Sequence, residues 1–437
     1  KYLVSVSVRR DGDSRFGANK KYATFPAVSL GWNVHKESFL TDNDVLSKLK
    51  LRFSKGSLGT TSFLGSYDAL SLLDPSPTIN GTGFLIPNNV ANPDLTWQTN
   101  TETNFGIDFG FFNNRLTLGV DYYTSDIEDI LINQSVSEVL GTSSLVLNSG
   151  DVRSSGLEFE LSANIYRNDD FSWNMGANLS TVNTEITDLG GLEELPQTIF
   201  GQSGRGAVFR NYVGGGIGEM WGLETTGQVE MLYLEDGTRS PNNNSGESYV
   251  VDQNGDGIID RTKSVEDGGD LVKIGQNTPD FYWGMTQNFS YKNFDMSMQF
   301  QGSHGAEVYN IDPLYYNSQW GGRLVDSFDA NHNGLHYERN RNQTDATIQD
   351  ASYVALRNLT IGYTIDDDIA NKIGLSSVRL YGAATNLLYL MADNYTSYNP
   401  EGVQTSGGDY LGPTTYGAQV GASPIVRSFT LGLNINF

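Results

Sequence analysis

The stretch DQNGDGIID, Asp252 to Asp260, has the oxygen-rich spacing that hard cations require. Asp252, Asn254, Asp256, the Ile258 carbonyl and Asp260 fall at positions 1, 3, 5, 7 and 9 of an EF-hand-like calcium loop. Gly257 takes the sharp turn at position 6. Position 12, where a bidentate Glu closes such loops, is Lys263. Glu266, Asp267 and Asp270 are the nearest replacements, within reach only if the chain folds back. No amphipathic helix flanks the loop, so a calcium switch is not expected. The readings left are a structural Ca2+ or Mg2+ site and a solvated acidic turn.

Other reactive residues are sparse. The histidines are His35, His304, His332 and His336. His332 and His336 have metal-ligand spacing, with Glu338 nearby, but Gly334 between them argues against the helix that spacing needs. No Gly-x-Ser-x-Gly elbow or triad is present, so no catalytic residue is assigned. The Gly-rich run Tyr212 to Gly227 lacks a phosphate-loop Lys and reads as an irregular loop. Two aromatic, amide-rich segments suit sugar stacking, peptide backbone binding or a protein lid: PLYYNSQWGGR with Tyr315, Tyr316 and Trp320, and DNYTSYNPEG with Tyr395 and Tyr398.

The bulk chemistry limits what carries these residues. The 437 residues hold 51 Asp and Glu against 28 Lys and Arg, a net charge of -23, which opposes nucleic-acid binding. There is no Cys, hence no disulfide or thiolate site. No apolar run reaches the length of a membrane helix. The start, KYLVSVSV, is not a basic-then-apolar leader, so any signal peptide is expected to be removed or upstream.

The dominant pattern is alternation. Phe105, Ile107, Phe109 and Phe111 interleave with Asn104, Gly106, Asp108 and Gly110. Leu157, Phe159, Leu161, Ala163 and Ile165 interleave with Glu158, Glu160, Ser162 and Asn164. Such a period of two predicts about twelve strands. They lie near 1–10, 22–34, 47–57, 98–112, 115–124, 155–166, 171–184, 279–291, 294–303, 352–365, 376–388 and 425–437. Strand parity puts the long connections 58–97, 125–154, 185–278, 304–351 and 389–424 at one end. The short turns, flanked by aromatics, fall at the other.

This asymmetry and the strand length predict an all-β, transmembrane, antiparallel up-and-down β-barrel with extracellular long loops, in preference to a soluble β-sandwich. Charge placement agrees: Lys50, Arg52, Asp108, Asp121, Glu158, Glu160 and Asp295 take the polar, lumenal parity. Arg357 shares the parity of Leu359 and Ile361, so a bulge or a headgroup position is expected there. Arg427 also has the lipid-facing parity but begins the last strand, at the interface.

Several stretches in order resemble the SusC/RagA family of TonB-dependent transporters of the Bacteroidetes outer membrane. They include LVSVSVRRDGDSRFG, FPAVSLGWNVHKESFL, NPDLTWQTNTETNFGIDFGFFNNRLTLGVDYY, ASYVALRNLTIGYTI and the terminal SFTLGLNINF. The resemblance implies the C-terminal strands of a 22-stranded barrel, with the plug domain and TonB box expected upstream. It implies a Gram-negative outer-membrane importer, not an enzyme, taking oligosaccharides or peptides from a SusD-like surface lipoprotein and energised through TonB. It also implies contact with outer-membrane lipid and lipopolysaccharide, and recognition by the barrel assembly machinery through Phe437. Two alternatives stay open: a complete twelve-stranded passive porin or secretion barrel, and a surface adhesion module with a calcium-binding loop.

Overall fold

The computed structural model describes the chain outside residues 41–42, 62–63, 76–84, 88–89, 136–143, 196–197, 201–206, 231–247, 311–343, 373, 402–416 and 420–422. It divides into two compact units. One holds Lys1–Leu161, Val182–Glu194 and Tyr212–Gly215; the other holds Ser162–Thr181, Leu195–Asn211 and Gly216–Phe437.

In the first unit β1 (Tyr2–Gly12), β2 (Tyr22–Asn33), β3 (Leu46–Thr60), β4 (Gln98–Phe111), β5 (Leu116–Ser135) and most of β6 (Ser144–Arg167) pair in chain order. The register lines apolar residues into rows. Tyr2 faces Trp32, Trp32 faces Leu51, Leu51 faces Ile107 and Ile107 faces Val120. A second row runs through Val4, Leu30, Phe53, Phe105 and Tyr122. These rows are the exposed side of the sheet: Val4 is 71% and Phe105 54% accessible. A sheet that shows its apolar parity outward needs a non-aqueous neighbour, as lipid provides.

The other face carries the charge. The Arg52 guanidinium donates to Asp108 at 2.9 Å and to Asp121 at 2.8 Å, reaching strands β4 and β5 from β3. It crosses β4 at Gly106, where a Cβ would lie 2.6 Å from the Arg52 Cζ and 2.5 Å from an Asp121 oxygen. Hydroxyl and amide pairs continue this face, such as Ser57 with Thr101 and Ser125 with Asn100.

The second unit repeats the scheme in β7 (Phe171–Ser180), β8 (Phe281–Tyr291), β9 (Phe294–His304), β10 (Tyr353–Thr364), β11 (Ser377–Met391) and β12 (Ser428–Asn436). Each pairs antiparallel with the next. Phe429 and Leu431 of β12 are exposed. On the polar face Arg379 donates to Asp295 at 2.9 Å across the intervening Gly362, whose absent Cβ again leaves the path clear. The sequence-based strands all recur, including the bulge at Arg357. There Leu356 and Asn358 pair with Phe300 and Gln299, leaving Arg357 as the extra residue. Val354 and Leu356 face outward before the bulge with Leu390 and Leu388. Arg357 is thereby grouped with Tyr353 and Ala355 on the polar face. Arg427 immediately precedes β12 and is exposed.

Aromatic rings gather near the tight turns. Phe109 stacks on Phe111 with centroids 6.0 Å apart, Trp173 on Phe289 at 5.5 Å, and Phe294 meets Tyr363 at 4.7 Å. The β4–β5 turn is closed by Phe112, Asn113 and Asn114, all in the left-handed region. At the β2–β3 turn, Lys1, the Trp32 indole N–H and the Tyr2 hydroxyl all donate to Glu37. Those donors hold the Glu37 carboxyl down at about 2. Ring bodies beside lipid with polar edges on one carboxylate make an interfacial belt.

The connections differ from expectation in three places. Residues 125–154 are not a long loop: β5 runs 20 residues and β6 runs 24, leaving only 136–143 between them. Strands of that length span roughly 65–80 Å, well beyond the ~30 Å hydrocarbon layer. Both faces of the extension are therefore free to be polar, and the alternation that marks a strand disappears. The seventh strand stops at Ser180 rather than 184, and Asn183–Asp188 turns back to pair with β6. Connections 185–278, 304–351 and 389–424 contain short strands of their own.

The inside-out orientation predicts opposite outcomes for the same charge on adjacent parities of β4. Ile107→Arg should cost about 2–4 kcal/mol and depress the yield of heat-modifiable, lipid-folded protein. Asn104→Arg should fold at wild-type yield, and equal behaviour of the two variants would reverse the assignment of faces.

Candidate functional site

The long-loop segments of the second unit build small sheets. Thr198–Phe200, Ala207–Phe209, Glu219–Gly222 and Val272–Gln276 form one, and Ile348–Asp350, Glu307–Asn310 and Ala418–Gln419 form another. Phe209, Met220, Tyr309 and Ala418 pack into one buried cluster, and Ala306, Val308, Ala351 and Tyr395 into a second. Buried amides lock them: the Tyr395 hydroxyl donates to Gln419 Oε1 at 2.8 Å, and Asn310 Nδ2 to Gln349 Oε1 at 2.8 Å. Buried amides with every bond met fix one packing rather than many.

Among the aromatic residues singled out for ligand or lid contact, Tyr395 is part of this core, 7% accessible. Tyr398 stands 67% exposed. Tyr315, Tyr316 and Trp320 lie outside the described residues, as do His332, His336 and Glu338.

Asp252, Asn254, Asp256, Ile258 and Asp260 form one compact turn. Asp252 accepts from the N–H groups of Gly255 and Gly257, at 2.8 and 2.7 Å. Asn254 accepts from Asp256 N, and Asp256 from Ile258 N. Asp260 accepts from the Thr262 hydroxyl and N–H, which hold its carboxyl below the usual range. Gly255 and Gly257 take φ of 75° and 78°, which side chains rarely tolerate. Of the downstream acids, Asp270 is the one that returns to the loop. It is fully buried, and its two oxygens accept from Gln253 N at 2.8 Å and Asp260 N at 2.7 Å. The acidic side chains thus spend their oxygens on backbone donors. Among the described residues no three His, Cys, Asp or Glu side chains converge as a cation cage.

Glu307 takes the N–H of Gln276 at 3.0 Å, and burial raises its pKa. A carboxyl raised on folding leaves the fold unpenalised at low pH and weakens it as pH climbs through its folded value, above 4.5.

The site that sequence reasoning did not assemble lies at the β10 bulge. The Arg357 guanidinium sits over the rings of Tyr353 and Tyr389, 5.6 and 5.3 Å from their centroids. Those rings stack on each other at 5.1 Å. Arg357 donates to Gln301 Oε1 at 3.3 Å, to Asn386 Oδ1 at 3.2 Å and to the Glu401 carboxylate. Asn386 holds a φ of 52°, so the partner strand is distorted opposite the bulge. The sequence flagged Arg357 by its parity; its partners, from β9, β11 and a loop, had no signal of spacing to reveal them.

Residues 1–387 match a family model described as TonB dependent receptor-like, beta-barrel. TonB-dependent receptor P3 of Formosa agariphila is 32% identical over 456 residues, which cover all of this chain and 44% of that protein. TonB-dependent receptor SusC of Bacteroides thetaiotaomicron is 26% identical over 473 residues, covering all of this chain and 42% of that protein. The RagAB peptide transporter structure aligns with a TM-score of 0.77 at 22% identity, over 100% of this chain and 46% of that one, a likeness of fold. The chain thus spans less than half the length of these relatives.

Two outcomes follow from the loop chemistry. Asp270→Ala leaves two part-buried N–H groups without their acceptor, at about 1–3 kcal/mol each or less. Amide exchange across 252–270 should rise by an order of magnitude or more, with the wall strands unchanged. Chelation of the wild type should leave that exchange unaltered, and a loosening on chelation would reveal an ion in the loop. Separately, the protection of amides at 272–276, with exchange corrected for its intrinsic pH dependence, should fall as pH rises above 4.5, and Glu307→Gln should flatten that fall.

Proposed function

The chain belongs to the TonB-dependent receptor β-barrel family, and from that premise we propose that it forms part of the wall of an active outer-membrane nutrient importer. The family's barrels reside in the outer membrane, and this chain has the all-β build they share. The observation that carries the reading is a sheet with apolar rows on one face and ion pairs on the other, in a chain whose long-loop segments also fold. A polar inner face suits passage of a hydrated cargo. Folded loops offer a surface for its delivery.

The cargo we propose is an oligosaccharide or peptide, handed over by a SusD-like surface lipoprotein, with energy drawn from the inner membrane through TonB. The name SusC borne by one relative and the peptide transport by RagAB support this reading. The chain's own chemistry is binding and positioning rather than bond breaking.

Energised and passive passage separate cleanly in cells. Loss of the gene should abolish uptake of the cargo, and a protonophore should abolish it equally. Uptake that survives the protonophore would establish a passive pore instead.

A further inference from the structure

Ion-paired arginines of the wall strands are partnered in two ways. Arg52 and Arg379 meet carboxylates of the wall, Asp108 and Asp121 in one case and Asp295 in the other. Arg153 likewise meets Asp126 of the neighbouring strand β5. Arg357 differs. Its acidic partner, Glu401, comes from beyond the end of β11, on the connection that leaves the wall. A double irregularity of the sheet, the extra residue at 357 and the left-handed Asn386, is spent on placing this one guanidinium on the polar face.

The seat is built for a planar oxyanion. Two stacked tyrosine rings lie against the cation, which favours a desolvated, oriented guanidinium over a freely hydrated one. Gln301 and Asn386 accept from its Nε and Nη1 and fix its plane, leaving Nη2 for a carboxylate. Among the described residues the buried Tyr389 hydroxyl beside it finds no acceptor for its proton. A buried hydroxyl left unsatisfied costs about 1–3 kcal/mol. Glu401 therefore fills the charge requirement of the seat and leaves one of its polar atoms unmet.

We propose that Arg357, Tyr353 and Tyr389 form a subsite for the carboxylate group of the transported molecule, and that Glu401 is its internal stand-in. This rests on the import reading above. An arriving carboxylate takes the guanidinium Nη2 from Glu401 and offers its second oxygen to the Tyr389 hydroxyl. Glu401 moves into water, and the end of the segment 392–401, at 400–401, loses its tie to β10, while Tyr395, Thr396 and Asn399 keep the rest in place. Binding and loosening of that end are then one event, because both draw on the same cation. No bond is made or broken in the exchange.

Two kinds of molecule carry such a group, a uronate sugar and a peptide C-terminus. The test uses the full-length transporter in detergent, with D-galacturonate and N-acetyl-trialanine as probes. The methyl ester of the first and the amide of the second serve as uncharged controls. Calorimetry should show one or both acids binding while the ester and amide do not, and the acid that binds identifies the source. Glu401→Gln should tighten that binding at least tenfold by weakening the internal competitor. Arg357→Lys should weaken it at least tenfold by removing the fork while keeping the charge. Tyr389→Phe should weaken it severalfold, although in the unliganded protein that hydroxyl has no acceptor among the described residues. Amide exchange at Glu401 should rise when the acid is added to wild type. Binding of acid and uncharged control alike, no binding of either acid, or an affinity indifferent to Glu401→Gln would overturn the proposal. These measurements use purified protein without energisation, so their failure is distinct from failure of the protonophore test of import.

Discussion

In hydrocarbon a strand has no water to satisfy its backbone, so every N–H and C=O must be given to a neighbouring strand. That demand explains why consecutive long strands pair in chain order, and why their side chains sort strictly by parity. With the backbone bound in the sheet plane, side chains have only two directions left. Lipid claims one, and charge is confined to the other. The bulge at Arg357 is where the rule is bent: one added residue moves a cation from the wrong parity to the right one without breaking the strand.

Much of this was legible because parity is written in residue order. The rows through Tyr2, Trp32, Leu51, Ile107 and Val120 are visible as alternation in each strand separately. What failed did so for a physical reason. Where β5 and β6 extend past the lipid, Ser125 to Glu128 need no apolar side, and the alternation fades although the hydrogen bonding continues. The acidic turn shows a limit of a different kind. Its spacing matched a cation loop, yet spacing cannot say whether an oxygen faces an ion or a backbone N–H. Asp252 and Asp270 use theirs on the backbone. Tyr395 was read as a contact residue because of its neighbours in sequence, whereas its surroundings in space, Ala306, Val308 and Ala351, make it core.

The seat around Arg357 draws on β9, β10, β11 and the segment after β11. Such convergence leaves no trace in local spacing, and only the odd parity of a single arginine betrayed it. Folded long-loop sheets matter to it as well. Gln419 and Gln349, held within those sheets, bond to Asn399 and Thr396 in the segment that carries Glu401.

The glycines at 106 and 362 bear on how such proteins are read from families of sequences. Arg52 and Asp121 are 69 positions apart, Asp295 and Arg379 are 84 apart, and each pair reaches over an intervening strand. Drift in one member of such a pair should be answered in the other, while the glycine between them stays invariant. A covariation map would record these as strong couplings and, taken at face value, would place β3 beside β5 and β9 beside β11. Strand order inferred for this fold from covariation alone is therefore liable to skip a strand wherever a glycine separates two charges.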